Sequence, residues 1–206
     1  IGTWLAFMVL PRPTRPAILL LASLIFYGFW SVEFIGLIVV TAGTDYLAAR
    51  KIAAIEDPHR RKRWLALSMT SNLLVLGFFK YTHFLLGTLA EFFPGAGRLN
   101  AAITITLPVG ISFYTFQSMS YVIDVYRGRL APAKSFRGFF LFVLFFPQLV
   151  AGPIERSGHL MPQLEGVVTN DPRRRDFLPG LRLIAWGLFK KLVVADLCAL
   201  WAAGPF

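Results

Sequence analysis

The chain has 206 residues, 56% of them hydrophobic and 16% charged. With a mean hydropathy of +0.60, against roughly 45–50% apolar usage in soluble domains, this excludes an ordinary soluble domain and reads as an integral membrane protein. The net charge of +10 would point to nucleic acid in a soluble chain. Here the bases sit in short clusters between apolar runs, where they orient a protein against lipid, so the expected partner is the bilayer and nucleic acid is not one.

In chain order, the run 1–10 ends at Pro11 without a basic leader or a small-residue cleavage site, so it reads as the tail of a span rather than a signal peptide. The run 17–40 is interrupted by Glu33 beside the bend Gly28-Phe29-Trp30-Ser31 and continues weakly to Ala49. One long span and two shorter helices joined at Ser31 both fit. Arg50, Lys51, Arg60, Arg61, Lys62 and Arg63 follow in one short loop, the strongest orientation signal in the chain, which places that loop in the cytoplasm. Residues 64–93 form the next span and 94–98 a turn on the far side. The run 101–126 crosses back, kinked near Pro108 and Gly110 because proline removes a helical hydrogen bond. Its exit carries Arg127, Arg129, Lys134 and Arg137, again cytoplasmic by the same rule.

The run 136–151 is short for a crossing: its 16 residues reach about 24 Å as a helix, against a hydrocarbon core of roughly 30 Å, and Pro147 lies inside it. A full crossing would also put Arg156, Arg173, Arg174 and Arg175 outside, against the charge trend. A re-entrant segment removes both conflicts and requires protein or a water-filled cavity around it. The last run, 181–203, holds Lys190, Lys191 and Asp196, which would cost roughly 2.5–3.5 kcal/mol per charge at the centre of a lipid-facing helix. It therefore reads as an interfacial helix or one facing the protein interior. The single cysteine, Cys198, excludes an intrachain disulfide and has no companions for a zinc site. No internal repeat is present.

Polar groups inside the apolar runs are the candidates for function. Phe113, Gln117, Ser120, Tyr121 and Asp124 recur at i, i+3, i+4 spacing, which sets them on one helical face. Interhelical hydrogen bonding is the plain reading of Gln117 and Ser120. Asp124 is ionisable near a membrane boundary, with Arg127 as its natural partner, and both structural pairing and the lining of a polar passage fit. The stretch 145–164 combines helix breakers, Pro147, Gly152, Pro153 and Pro162, with Gln148, Glu155, Arg156 and His159, a composition suited to the wall of a cavity. Arg156 could hold a phosphate or carboxylate through its fork of donors, or pair with Glu155. His59 reads as a solvated loop residue, His83 as a packing residue, and His159 as the best placed of the three. No nucleophile, metal-ligand spacing or phosphate-binding glycine loop accompanies any of them.

The motifs "LPVGISFYTFQSMSYVIDVYRG", "FFPQLVAGPIERSGHLMPQL" and "GLFKKLVVADLCA" resemble the membrane-bound O-acyltransferase family, in particular the bacterial branch of alginate O-acetylation and teichoic-acid D-alanylation membrane proteins. The resemblance covers most of the chain from about Ala17 onward. It implies an all-α polytopic membrane protein in which spanning and re-entrant helices surround a polar tunnel, with residues 1–206 forming a single membrane domain from the N-terminal part of a longer enzyme. It further implies transfer of an acetyl or similar short acyl group toward an extracytoplasmic polysaccharide or cell-wall polymer, at the bacterial inner membrane. The acyl donor would be met on the cytoplasmic side, with acetyl-CoA the implied donor, no bound cofactor, no metal, and a periplasmic acyltransferase as a further partner.

The family's catalytic histidine stands beside a tryptophan and a glycine in a later segment, and no such stretch occurs here. The resemblance therefore assigns Gln117, Asp124, Arg127, Pro153 and Arg156 to shaping the tunnel and gives no catalytic role to any residue of this chain. A transporter or channel with broken helices, or a non-catalytic membrane scaffold for a periplasmic transferase, are the rival readings of the same polar groups. Cysteines introduced at positions 60 and 129 of a Cys198→Ser background are expected to resist a membrane-impermeant thiol reagent in intact cells and to react after permeabilisation. Labelling of either in intact cells would reverse the orientation.

Overall fold

The computed structural model describes residues 2–103, 105–149, 152, 155–169 and 174–202, and every regular element among them is a helix. They fall into two compact units, Ile1–Val168 and Thr169–Phe206.

In the first unit, α1 (Gly2–Val9) leads through a 3₁₀ turn (Arg12–Thr14) into α2 (Arg15–Ser31) and α3 (Glu33–Ala54). Of the two readings of the run 17–40, the structure takes the second, with the junction at Val32. Val32 keeps helical angles (φ −63°, ψ −37°), and the ladder tightens there to a 3.1 Å bond from the Ile35 N–H to the Val32 carbonyl. A three-residue loop, 55–57, then brings α4 (Pro58–Ala90) back along α3 as an antiparallel neighbour. Asp57 caps α4 by accepting from the His59 N–H at 2.9 Å, and Pro58 occupies the first helical position, where its missing N–H costs nothing.

Among the described residues two helical runs are long and apolar enough to cross a bilayer, Arg12–Ser31 and Pro58–Ala90. At 33 residues, α4 is about 50 Å long, more than the hydrocarbon core requires. Only 6% of its apolar window is buried within the chain, so Leu74, Phe78, Phe84 and Leu85 face outward, as lipid-facing side chains would. α3 is also long, yet it fails the apolar test because it carries Asp45, Arg50 and Lys51.

Two expectations are corrected here. The stretch expected as a turn, 94–98, belongs to a helix, α5 (Pro94–Ala102), because proline is well accommodated in a first helical turn. The run 101–126 is not one kinked helix: the chain leaves helical geometry after Ala102, and α6 begins only at Ile111 (Ile111–Tyr126). Pro108 lacks a donor for the ladder, and Gly110 adopts φ +74°, a left-handed conformation closed to ordinary side chains. A Cβ on Gly110 would also stand 2.5 Å from the Leu149 carbonyl oxygen, so the same glycine sets the helix start and admits a neighbouring strand of backbone.

The run 136–151 divides into α7 (Phe136–Leu144) and a one-turn α8 (Phe146–Leu149), followed by α9 (Ser157–Gly166). α7 packs against α2, α3, α6 and α9. Every residue from Phe139 to Leu144 is buried, so this short helix is the core of the unit rather than part of its surface. Phe139 meets Tyr121 of α6 at a 4.5 Å ring-centroid distance and Tyr46 of α3 at 6.3 Å.

In the second unit, α10 (Arg174–Phe189) runs through a π-helical segment, Lys190–Ala195, into α11 (Asp196–Ala202). Its charges are accommodated locally: Lys191 Nζ lies 2.8 Å from Asp196 Oδ2, and Lys190 stands 5.3 Å from the centre of the Trp186 ring.

Gly110→Ala is expected to destabilise the protein more than Gly128→Ala. Both residues have positive φ (74° and 69°), but only Gly110 is crowded by backbone, whereas nothing lies within 4 Å of a Cβ on Gly128. The conformational penalty of about 1–2 kcal/mol is common to both, so the difference in thermal unfolding midpoint in detergent micelles isolates the contact with Leu149.

Candidate functional site

Three helices converge on the carboxyl group of Asp45. On α3, Thr41, Asp45, Ala48, Ala49 and Ile52 recur at three- and four-residue spacing and are all buried, as are Ser68, Asn72 and Leu76 on α4 and Tyr114, Ser118, Tyr121 and Val125 on α6. The small members, Ala48, Ala49 and Ser68, are wholly inaccessible and let the backbones approach closely. Into that contact Ser68 Oγ donates to Asp45 Oδ1 at 2.5 Å, Asn72 Nδ2 bridges both carboxyl oxygens at 2.8 and 2.9 Å, and Ser118 Oγ donates to Oδ2. A carboxylate offers about four acceptor positions, and four donor contacts fill them. Asp45, Ser68, Asn72 and Ser118 were not anticipated as a site. The available signal was an acidic residue inside an apolar helix, with Ser68 and Asn72 one helical turn apart on the next.

A second set of polar contacts surrounds the break after α7. In an unbroken helix the Phe146 N–H would bond to the Phe142 carbonyl. Phe145 departs to φ −56°, ψ 108°, and the Phe146 N–H is satisfied instead by Ser23 Oγ of α2 at 3.2 Å. The freed Phe142 carbonyl accepts from Gln117 Nε2 of α6 at 2.8 Å and from Gln148 Nε2 at 3.1 Å. Pro147 brings no donor of its own. Gln117, read from sequence as glue or tunnel lining, thus completes the hydrogen bonding of a broken helix. Tyr121 acts similarly one turn on, its buried hydroxyl accepting from the Ala133 N–H at 2.9 Å and fixing the approach to α7.

The rest of the expected stripe is distributed differently. Phe113 is 37% exposed, and Ser120 bonds only to the Gln117 carbonyl of its own helix, at 2.7 Å. Asp124 is half-buried and Arg127 exposed. Among the described residues they form no ion pair with each other, although Arg127 keeps helical angles and its N–H still bonds to the Ile123 carbonyl at 2.9 Å. Arg156 is exposed and precedes α9, where its carbonyl accepts from the His159 and Leu160 N–H groups. Its expected alternative partner, Glu155, instead lies 3.5 Å from His159 Nδ1. Pro153 lies outside the described residues.

Two further side chains hold loops rather than merely packing or orienting. His83 Nδ1 lies 2.8 Å from Asn100 Oδ1 of α5, while the Ile105 N–H donates to His83 Nε2 at 3.4 Å. That pattern corrects the reading of His83 as a packing residue: its two nitrogens tie α5 and the following segment to α4. Arg61, one of the six bases of the first basic loop, donates to the Tyr126 carbonyl at 2.7 Å and lies over the Tyr126 ring, so it closes the C-terminal end of α6, where a cation is favourable.

No cluster of three or more metal-ligating side chains occurs among the described residues. Three buried hydroxyls, of Tyr27 in α2, Tyr114 in α6 and Ser157 in α9, have no hydrogen-bond partner among them; buried polar groups in this state are the ones that water or a polar ligand completes.

Sequence comparison bears the resemblance out: the chain is similar to proteins named for bacterial polymer O-acetylation. The chain is 38% identical to a protein of Pseudomonas aeruginosa named as a probable alginate O-acetylase, over 90% of this chain and 35% of that protein. It is 36% identical to the Azotobacter vinelandii protein of the same name, over 90% and 37%, and 34% identical to a peptidoglycan O-acetyltransferase of Helicobacter pylori, over 86% and 38%. The chain therefore spans little more than a third of the length of these relatives. No family model matches it, and no solved structure does.

Asp45→Ala strands three donor side chains at about 1–3 kcal/mol each and is expected to abolish or sharply reduce folded protein in the membrane. Gln117→Leu leaves Gln148 on the Phe142 carbonyl and is expected to cost about 1 kcal/mol. Thermal unfolding of the two variants in detergent checks the order.

Proposed function

We propose that this chain forms part of a bacterial inner-membrane O-acyltransferase that carries an acetyl or similar short acyl group to an extracytoplasmic polysaccharide or cell-wall polymer. The observation that carries the reading is the relationship, over about nine-tenths of the chain, to proteins named for O-acetylation of two chemically different polymers, alginate and peptidoglycan. Relatives that differ in acceptor share the delivery of the acyl group, so the shared architecture belongs to delivery.

In this reading α4 spans the bilayer and α7–α8 is a re-entrant element. A backbone break at membrane depth requires partners from the protein itself, and Ser23, Gln117 and Gln148 supply them. The basic loops face the cytoplasm, where a thioester such as acetyl-CoA is the donor. Transfer breaks the acyl C–S bond and forms a C–O bond to an acceptor hydroxyl, whose proton passes to a general base while the thiol leaves. The resemblance gives the base to a histidine flanked by tryptophan and glycine, which is none of His59, His83 or His159. The unpartnered hydroxyls of Tyr27 and Tyr114 are groups that a polar substrate path would complete. A periplasmic acyltransferase that receives the group is the further partner of this reading.

The test is deletion of the gene and complementation with the full-length protein, reading base-releasable acetate on exported polysaccharide and on peptidoglycan. Deletion is expected to remove ester-linked acetate from one of the two. At equal abundance in the membrane, Asp124→Ala and Arg156→Ala are expected to restore several-fold less than His59→Ala, which lies in the exposed first turn of α4. Unchanged acetylation of both polymers after deletion would refute the function.

A further inference from the structure

Between α2, α7 and α9 the first unit contains a cavity of about 720 Å³, within the roughly 300–1,000 Å³ typical of small-molecule sites. Its long wall is one face of α2, with Ala17, Leu20, Leu21 and Leu24 at i, i+3, i+4, i+7 spacing, and Leu141 of α7 and Leu164 of α9 line it from the other helices. Polar groups are confined to the segment at the start of α7 and the end of α9: Lys134, Arg137 and Glu165. The cavity is therefore amphipathic, an apolar trough with charge at one part of its rim.

The charges there are available to a ligand. Lys134 Nζ and Glu165 Oε2 are 3.9 Å apart and both side chains are substantially exposed (89% and 46%); such a pair contributes little and exchanges readily. Arg137 is exposed and takes part in no ion pair among the described residues. A guanidinium beside an ammonium is suited to a phosphodiester, since the planar fork of Arg can hold two oxygens at once. The apolar wall does not end at the cavity: Leu21 lines it and is itself 59% exposed, and Ile25 and Phe29 continue outward along α2. That helix is long and apolar enough to cross a bilayer. A water-soluble ligand would have to lie against this outward apolar surface, whereas an acyl chain is continuous with it.

We propose that this cavity is a binding site for one anionic phospholipid, with an acyl chain lying along Ala17, Leu20, Leu21 and Leu24 and the headgroup phosphate at Lys134 and Arg137. The site requires only that α2 lie in a bilayer. It does not depend on acyl transfer, so its failure and the failure of the proposed function are distinguishable.

The test is native mass spectrometry of the purified full-length protein in detergent, with phosphatidylglycerol and phosphatidylcholine of identical acyl chains added separately. Retention of one phosphatidylglycerol is expected, preferred over phosphatidylcholine by on the order of tenfold from two cations near an anionic headgroup. The double variant Lys134→Gln/Arg137→Gln should bind both lipids alike. Ala17→Phe, which fills the trough from an exposed position, should weaken both; Leu21→Trp serves the same purpose should the first variant fail to fold. Equal retention of the two lipids by the unmodified protein, undiminished phosphatidylglycerol binding in the folded trough-filling variant, or displacement of the lipid by an equal concentration of glycerol phosphate would each overturn the proposal.

Discussion

The carboxyl group of Asp45 is the point on which the largest helices depend, because a polar group this deep has no water to fall back on and must find its partners in the chain. Ser68 and Asn72 from α4 and Ser118 from α6 supply them. The requirement fixes more than one contact. To bring four donor contacts onto one carboxyl group, α3, α4 and α6 must hold a particular rotation and axial register, and the inaccessible Ala48, Ala49 and Ser68 allow the close approach this demands. Apolar packing between the same helices would tolerate sliding; directional hydrogen bonds do not.

Once α6 is fixed in this way, Gln117 and Tyr121, neighbours of Ser118 on its buried surface, meet α7. The short helix α7 can stop after nine residues in the middle of the protein because the groups released at its end are met from three directions, by Ser23 on α2, Gln117 on α6 and Gln148 just beyond the break. The following backbone then passes close to Gly110, at the start of α6, where only a hydrogen can face the Leu149 carbonyl. A glycine and an amide of α6, a hydroxyl of α2 and an amide just beyond the break thus sustain one interruption. Breaks of this kind are where membrane proteins place irregular backbone beside a cavity.

The amphipathic trough between α2, α7 and α9 is bordered by the opposite, N-terminal end of α7. α7 is short enough for its first turn to bring Arg137 to the rim while its later residues are fully buried, so charge and core are separated along a single nine-residue helix. Relatives named for different polymers share this part of the chain, which fits a region that positions helices and lipid rather than one that distinguishes acceptors.

Composition was enough to indicate helices long and apolar enough to cross a bilayer, because hydrophobicity is additive along the chain; the bases read as one loop instead end α3 and begin α4. The motifs around Gln117 and Arg156 were enough to indicate the polymer O-acetylase relationship, and Pro147 was enough to mark the break after α7, since a missing N–H is a local property. What Gln117 bonds to was not legible: its partner is a backbone carbonyl 25 residues away, and every residue has one. Asp45 escaped notice for the same reason, since its donors, Ser68, Asn72 and Ser118, are unremarkable where they stand in the chain. The expected pair Asp124–Arg127 does not form although helical geometry persists through Arg127, and α5 reads as a turn from Pro94 and its neighbouring glycines and alanine, whereas His83 and Asn100 tie it to α4. Periodicity and composition are carried by neighbours in sequence; partners are chosen by which helices are brought side by side, and only the tertiary structure decides that.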